Sequence, residues 1–135
     1  MQPKFFRLAE KIAYKSDHRV KIGAVLVNRR QVLNVGYNKV GKTHPRYDWF
    51  LHAELDACLG IHRHDLSGAS LYLFRINRLG TVFNCRPCET CQSVLKELGV
   101  KSVCYTTGNM MIKNYETLDM NDNWESEPHY LEMRL

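Results

Sequence analysis

Two short stretches far apart in the chain, His52-Ala53-Glu54 and Pro87-Cys88-Glu89-Thr90-Cys91, set the strongest constraint on what this sequence can fold into. His52, Cys88 and Cys91 make a three-ligand set suited to one zinc ion per chain, and such a set leaves the fourth tetrahedral position for a water. An open position marks a catalytic rather than a structural metal site. Glu54, two residues from the histidine, is placed to carry a proton for that water. A fold that serves both stretches must bring two helix starts to one point.

At 135 residues the chain suits one domain with a buried core. Its 44% hydrophobic and 24% charged residues exclude a disordered chain. No apolar run approaches the roughly 18 residues of a membrane span, and Met1 to Arg7 lacks the apolar centre of a signal peptide. The expectation is an intracellular, cytoplasmic protein with no membrane partner. Five cysteines, two of them in a C-x-x-C, read as thiols and metal ligands in a reducing compartment rather than as disulfides. The net charge of +5 favours a negatively charged partner, a nucleotide phosphate or a nucleic acid backbone. An ordinary basic surface accounts for that charge equally well.

Phe5, Leu8, Ala9, Ile12 and Ala13 share one face at helical spacing, which predicts an amphipathic helix over Pro3 to Lys15. Val20 to Asn28 and Gln31 to Tyr37 read as a β-hairpin. Within it Ala24-Val25-Leu26-Val27 is apolar on both faces, as in a sheet covered from both sides. Asn38 to Phe50 reads as a polar loop leading to His52. Leu51, Leu55, Cys58 and Leu59 form the stripe of a second helix that ends at Gly60. Ala69 to Ile76 is a third strand, Asn77 to Gly80 a turn, and Pro87 suits the first position of a third helix. That helix carries Cys88, Cys91, Val94, Leu95 and Leu98 on its inward face and closes at Gly99. Val100 to Tyr105 is a fourth strand, Ile112 to Leu118 suits either a strand or a helix, and Asp119 to Pro128 reads as loop. The order α-β-β-α-β-α-β predicts an α/β fold. It forms a single domain over 1–135, with a core over about 3–107 and a C-terminal extension over 108–135.

In this order, H-x-E followed by P-C-x-x-C resembles the zinc-dependent cytidine and deoxycytidylate deaminase superfamily, and the resemblance runs from about Ala9 to Tyr105. It implies a three-layer α/β/α fold, with a mixed sheet of about five strands and helices on both faces. It also implies hydrolytic deamination, in which a zinc-bound hydroxide attacks the ring carbon bearing the amino group and Glu54 passes the protons. Asn38, after Gly36-Tyr37, would contact the substrate sugar or base, and the backbone at Ala53 would face the base carbonyl. A turn asparagine closing a strand is a common alternative, and substrate contact is the favoured reading of Asn38. Ser16 and Arg19, ahead of Gly23-Ala24-Val25, are similar to a deoxycytidylate deaminase pattern and equally suit a helix-ending loop. Cys58 and Cys104 read as core residues, and Cys85 as packing beside the ligands. His62-Arg63-His64 resembles part of the second zinc site of some phage deoxycytidylate deaminases, but without a nearby partner cysteine it reads as a solvated helix end.

The superfamily acts on free cytosine nucleosides and nucleotides, guanine, tRNA adenosine and cytosine in polynucleotides. This chain has Arg86 where nucleoside and tRNA enzymes usually carry Glu before Pro-Cys. It has Asn84-Cys85-Arg86 where polynucleotide cytosine deaminases often carry Ser-x-Ser. Leu71 to Arg75, Gly80, Arg86-Pro87-Cys88 and Val103 to Thr106 resemble small phage and viral deaminases. The favoured substrate is therefore a cytosine nucleotide or nucleoside, deoxycytidylate first, with Arg75, Arg86, Arg78 or Lys42 meeting the phosphate. A second reading takes single-stranded DNA or tRNA as substrate, with Tyr47, Trp49 and Phe50 stacking an extruded base. A third is a zinc-stabilised module without turnover, against which Glu54 argues. The resemblance also implies a homo-oligomer built on the face of the central helices.

Overall fold

The computed structural model describes residues 3–39, 52–107 and 115–119. Along the chain run α1 (Pro3–Ala13), β1 (Val20–Asn28), β2 (Gln31–Tyr37), α2 (Ala53–Cys58), α3 (Arg63–Leu66), β3 (Ser70–Asn77), β4 (Val82–Phe83), α4 (Glu89–Leu98), β5 (Ser102–Thr106) and β6 (Tyr115–Asp119). The strands form one sheet in the order β2-β1-β3-β5-β6, with β4 added to the end of β3. β3 and β5 are parallel and the other pairs antiparallel, so the sheet is mixed, as expected. A parallel pair needs a crossover, and α4 is that crossover.

Side chains that alternate along each strand split the core into two layers. Ala24 and Leu26 of β1, Leu71 and Leu73 of β3, and Val103 and Tyr105 of β5 face α2, α3 and α4. Val25 and Val27, Tyr72 and Phe74, and Cys104 face α1 on the other side. Every central strand is thus apolar on both faces, which is why Ala24 to Val27 shows no polar alternation. On the α1 side the Phe6 ring meets Tyr72 edge-on at 5.1 Å. Each such fully buried large side chain contributes about 1.5–3 kcal/mol by leaving water.

Two glycines let the helices ride directly on the sheet. A Cβ on Gly23 would lie 2.0 Å from the Ala9 carbonyl oxygen of α1, and one on Gly36 would lie 2.4 Å from the Ala57 nitrogen of α2. Gly36 therefore fixes the height of α2, the helix that begins next to His52, above β2.

Several boundaries differ from expectation. α1 stops at Ala13, two residues before Lys15. The second helix is short, Ala53–Cys58, because His52 stays extended as its N-cap and Leu59 leaves the helix. Pro87 is not the first helical residue: Cys88 is the N-cap, and Pro87 precedes it. Cys88 is accordingly exposed rather than on the inward face, while Leu98 is half-buried. α3 and β4 are too short to show a periodicity, and neither was expected from the sequence. Within the ambiguous stretch that ends at Leu118, Tyr115–Asp119 is a strand paired to β5. Leu51 and residues 120–128 lie outside the described residues. No described helix is long and apolar enough to cross a membrane.

Candidate active site

His52 and Cys88 occupy equivalent places, each the N-cap of a helix with extended backbone, at φ −77°, ψ 157° and φ −66°, ψ 164°. Neither side chain caps its own helix, and both turn toward a shared point. Cys91 is the third residue of α4, one turn from Cys88. An N-cap side chain normally reaches that turn to bond its backbone; here the same proximity brings two sulfurs together. Both sulfurs must give up their protons to hold a metal.

The ligand atoms of His52, Cys88 and Cys91 all lie within 4.8 Å of one another. His52 Nδ1 is 3.2 Å from Cys91 Sγ. A tetrahedral zinc with ordinary bonds separates nitrogen and sulfur ligands by about 3.5–3.6 Å, so the three fit one such ion with small adjustments. These residues are positioned to bind one metal ion, and two thiols with an imidazole are a zinc-type donor set.

Glu54 sits in the first turn of α2 with its carboxylate 3.9 Å from His52 Nδ1. Residues two apart inside a helix point to different faces. They meet here because His52 lies outside the helix, with extended backbone. Glu54 is buried. Burial raises its carboxyl above the usual range, against smaller lowering effects from a backbone hydrogen bond and from His52. Burial also raises the thiols of Cys91, Cys85 and Cys58, with the Glu54 charge adding to each; Cys58 reaches about 12. All five cysteines are free thiols. Cys58 and Cys85 belong to the layer under α2 and α4, and Cys104 to the layer under α1.

Asn38 is buried at the end of β2, where its side chain clips the start of β1. Its Oδ1 accepts the Ile22 N–H at 2.9 Å and its Nδ2 donates to the Val20 carbonyl at 2.8 Å. One amide hydrogen and one lone pair are left over. Ser16, buried as well, donates to the Asn38 carbonyl at 2.7 Å, so it closes the helix-ending loop against this residue. Ala53 is fully buried at the first position of α2. Arg19 and Arg78 are exposed. His62 and His64 are exposed too, and His62 Nδ1 accepts the His64 N–H at 3.0 Å as the cap of α3.

Arg75 lies in β3, and Arg86 stands two residues before Cys88. Arg86 Nη1 donates to the hydroxyl of the fully buried Tyr105 at 3.2 Å. Arg75 Nη1 donates to the Asn84 carbonyl at 3.1 Å, while Arg75 Nε and Asn84 Nδ2 are buried and have no hydrogen-bond partner. An unsatisfied buried donor costs on the order of 1–3 kcal/mol. Sequence reading noted Asn84 only as part of Asn84-Cys85-Arg86 and gave it no contact, because the short hairpin beside it has no pattern of its own. It passed over Asp56, whose Oδ2 accepts the Tyr37 N–H at 3.0 Å and pairs with Lys39. An acidic residue in a first helical turn is too common to single out. Lys42, Tyr47, Trp49 and Phe50 lie outside the described residues.

Comparison with known proteins agrees with this geometry. Residues 1–107 match the family described as the cytidine and deoxycytidylate deaminase zinc-binding region. The deoxycytidylate deaminase of Mycobacterium phage D29 is 31% identical over 125 residues, covering 75% of this chain and 90% of that protein. The fold is similar to that of cytidine deaminase from Burkholderia pseudomallei, at a TM-score of 0.62 and 20% identity over 90% of this chain and 94% of that one. It is also similar to dCMP deaminase from cyanophage S-TIM5, solved in complex with dCMP and dUMP, at a TM-score of 0.53 and 23% identity over 76% and 81%. The chain belongs to the cytidine and deoxycytidylate deaminase family and is a zinc-dependent deaminase.

Proposed function

We propose that the chain converts deoxycytidylate to deoxyuridylate by hydrolysis, with Glu54 as the catalytic acid and base. The convergence of His52, Cys88 and Cys91 on one point, with the buried Glu54 carboxylate 3.9 Å from His52, carries this reading. A zinc ion held by those three residues supplies the positive charge that lowers the pKa of a water toward neutrality. Glu54 would take a proton from the attacking water as the water oxygen bonds the ring carbon, and would deliver it to the adjacent ring nitrogen. It would then take the remaining proton from that oxygen and pass it to the amino group, so that the carbonyl forms as the carbon–nitrogen bond breaks and ammonia leaves. Burial raises this carboxyl above its ordinary range, so it holds a proton more readily than an exposed glutamate and can both take and give one.

Asn38, held by three backbone and hydroxyl partners, offers its remaining amide hydrogen to the sugar or base. The backbone at Ala53 faces the base carbonyl. A nucleotide is favoured over a free nucleoside by the half-buried Arg75 and Arg86, which could meet a phosphate, and by the phage relative named as a deoxycytidylate deaminase.

The test is product formation by the zinc-loaded protein on dCMP, CMP, deoxycytidine, cytidine and a cytosine-containing single strand. The proposal expects dCMP to have the highest kcat/KM. Turnover of the strand alone would replace it with a polynucleotide substrate.

A further inference from the structure

We propose that Gln92 is a positioning residue for the metal site, one that fixes the direction of the Cys88 thiol through both peptide groups flanking Cys88. Its side-chain Nε2 donates to the Pro87 carbonyl at 2.8 Å, and its backbone N–H donates to the Cys88 carbonyl at 2.8 Å. The first bond holds the peptide plane before Cys88, and the second holds the plane after it. Those two rigid planes set φ and ψ of Cys88, and with them the direction of its Cβ. The assignment rests on the metal site alone and is the same for any substrate.

Cys88 needs such a frame more than the other sulfur ligand does. Cys91 lies inside α4 and is fully buried, so helix geometry and packing fix it. Cys88 is exposed and extended, at φ −66° and ψ 164°, so packing does not hold its side chain. An N-cap side chain ordinarily anchors a helix start by accepting the N–H of the second or third helical residue. The Cys88 side chain makes no such bond. Gln92 supplies the anchor from the other direction, reaching from the fourth residue of α4 back to the residue before the cap.

The chain ahead of Cys88 is tied down separately. The Cys85 N–H donates to the Thr106 carbonyl at 2.8 Å, and Arg86 Nη1 donates to the Tyr105 hydroxyl at 3.2 Å, which attaches the loop to β5 as far as Arg86. The Arg86 N–H is held by Asn84 Oδ1 at 2.9 Å. Pro87 is buried and its ring fixes its own φ, so its ψ is the soft angle between that anchored stretch and Cys88. The Gln92 amide closes that angle. The other ligand-bearing turn has a parallel. Asp56 stands four residues after His52, as Gln92 does after Cys88, and the Asp56 N–H donates to the His52 carbonyl at 2.9 Å. There the side chain reaches across to the end of β2 instead.

Chelator competition with the full chain reads zinc affinity, and cobalt(II) in place of zinc reads ligand geometry through its visible absorption. Neither needs turnover. Gln92→Met keeps the length of the side chain and its helix preference but has no N–H to donate. It should weaken zinc about tenfold, as the loss of a group that orients a metal ligand does, and change the cobalt spectrum. Ser93→Gly, at the exposed next position of α4, loosens the same helix and leaves the Gln92 amide in place. It should lower Tm and leave zinc affinity and the cobalt spectrum as they are. Unaltered zinc affinity and cobalt spectrum in Gln92→Met overturn the proposal. So does a Ser93→Gly variant that weakens zinc as much, since helix stability rather than the amide bond would then place Cys88. If Gln92→Met fails to fold, Gln92→Ala, which lacks the donor and adds no bulk, decides by the same two readings.

Discussion

The Asp56 carboxylate accepts the Tyr37 N–H at 3.0 Å, which ties the last residue of β2 to the helix that carries Glu54. The same oxygen pairs with the Lys39 ammonium, and that ammonium lies 3.9 Å from the centre of the Tyr37 ring. Asn38, between those two residues, is thus fixed relative to Glu54 from both sides. Asp56→Ala should weaken dUMP binding about 5- to 20-fold, as expected for losing a charge-assisted hydrogen bond, with zinc content unchanged. Asp56→Asn keeps an acceptor for the Tyr37 N–H and should recover most of the affinity. Equal damage from both variants would show that the Lys39 pair, rather than the backbone bond, is what matters.

The close approach at Gly36 gives a second expectation. Alanine there must push α2 away from β2, since its Cβ would stand 2.4 Å from the Ala57 nitrogen and 2.7 Å from the Ala53 carbonyl oxygen. Overpacking of this kind costs about 1–3 kcal/mol or more. Gly23→Ala crowds α1 in the same way on the opposite face. Both should lower Tm, but only Gly36→Ala should also weaken zinc, because α2 adjoins a ligand and α1 does not. Chelator titration of the two variants distinguishes them, and equal zinc affinities would contradict the placement of His52 by α2.

Much of this was legible in the sequence, for a physical reason. β1 and β2 have the residue ranges read from their β-branched runs, and Gly99 ends α4 in the left-handed conformation at φ 91°, as a helix-closing glycine does. Long apolar patterns and glycine stops are local signals that tertiary packing reinforces. The start of α4 was misplaced by two residues, because Pro87 also suits the residue just before a cap. The β3–β4 hairpin was missed altogether: Val82 and Phe83 are too short a run to alternate, and they pair with the end of β3 that β5 leaves uncovered. The ligand set was legible because metal chemistry restricts residue type. The environments of Asn84 and Asp56 were not, because hydrogen bonding to a distant backbone leaves no mark on composition.

Thiol reactivity provides a third check. Cys88 is exposed, whereas Cys58, Cys85, Cys91 and Cys104 are buried with their thiols raised. At pH 8 a thiol near 12, such as Cys58, stays protonated and unreactive, since only the thiolate is alkylated. Brief alkylation of the metal-free native protein should therefore mark Cys88 first, and zinc should protect it. Peptide mass spectrometry reads the order directly. Equal labelling of all five cysteines would contradict the burial described here.

Metal removal should separate activity from fold. The two core layers, under α1 and under α2 and α4, are built from apolar side chains and do not depend on the ligands for their packing. The chelated protein should lose all ammonia release but keep its far-ultraviolet circular dichroism, at a lower Tm. Global unfolding on chelation would assign the metal a structural role instead.

The central claim is that Glu54 moves the protons of deamination. Single-turnover conversion of dCMP to dUMP by zinc-loaded protein, compared with the zinc-loaded Glu54→Gln variant, tests it most directly. Glutamine keeps the shape of the side chain and removes its ability to exchange a proton, so the account predicts a rate loss of about 100-fold or more with one zinc still bound and dUMP affinity preserved. A Glu54→Gln variant that holds its zinc and converts dCMP within a few-fold of the unaltered rate would contradict it.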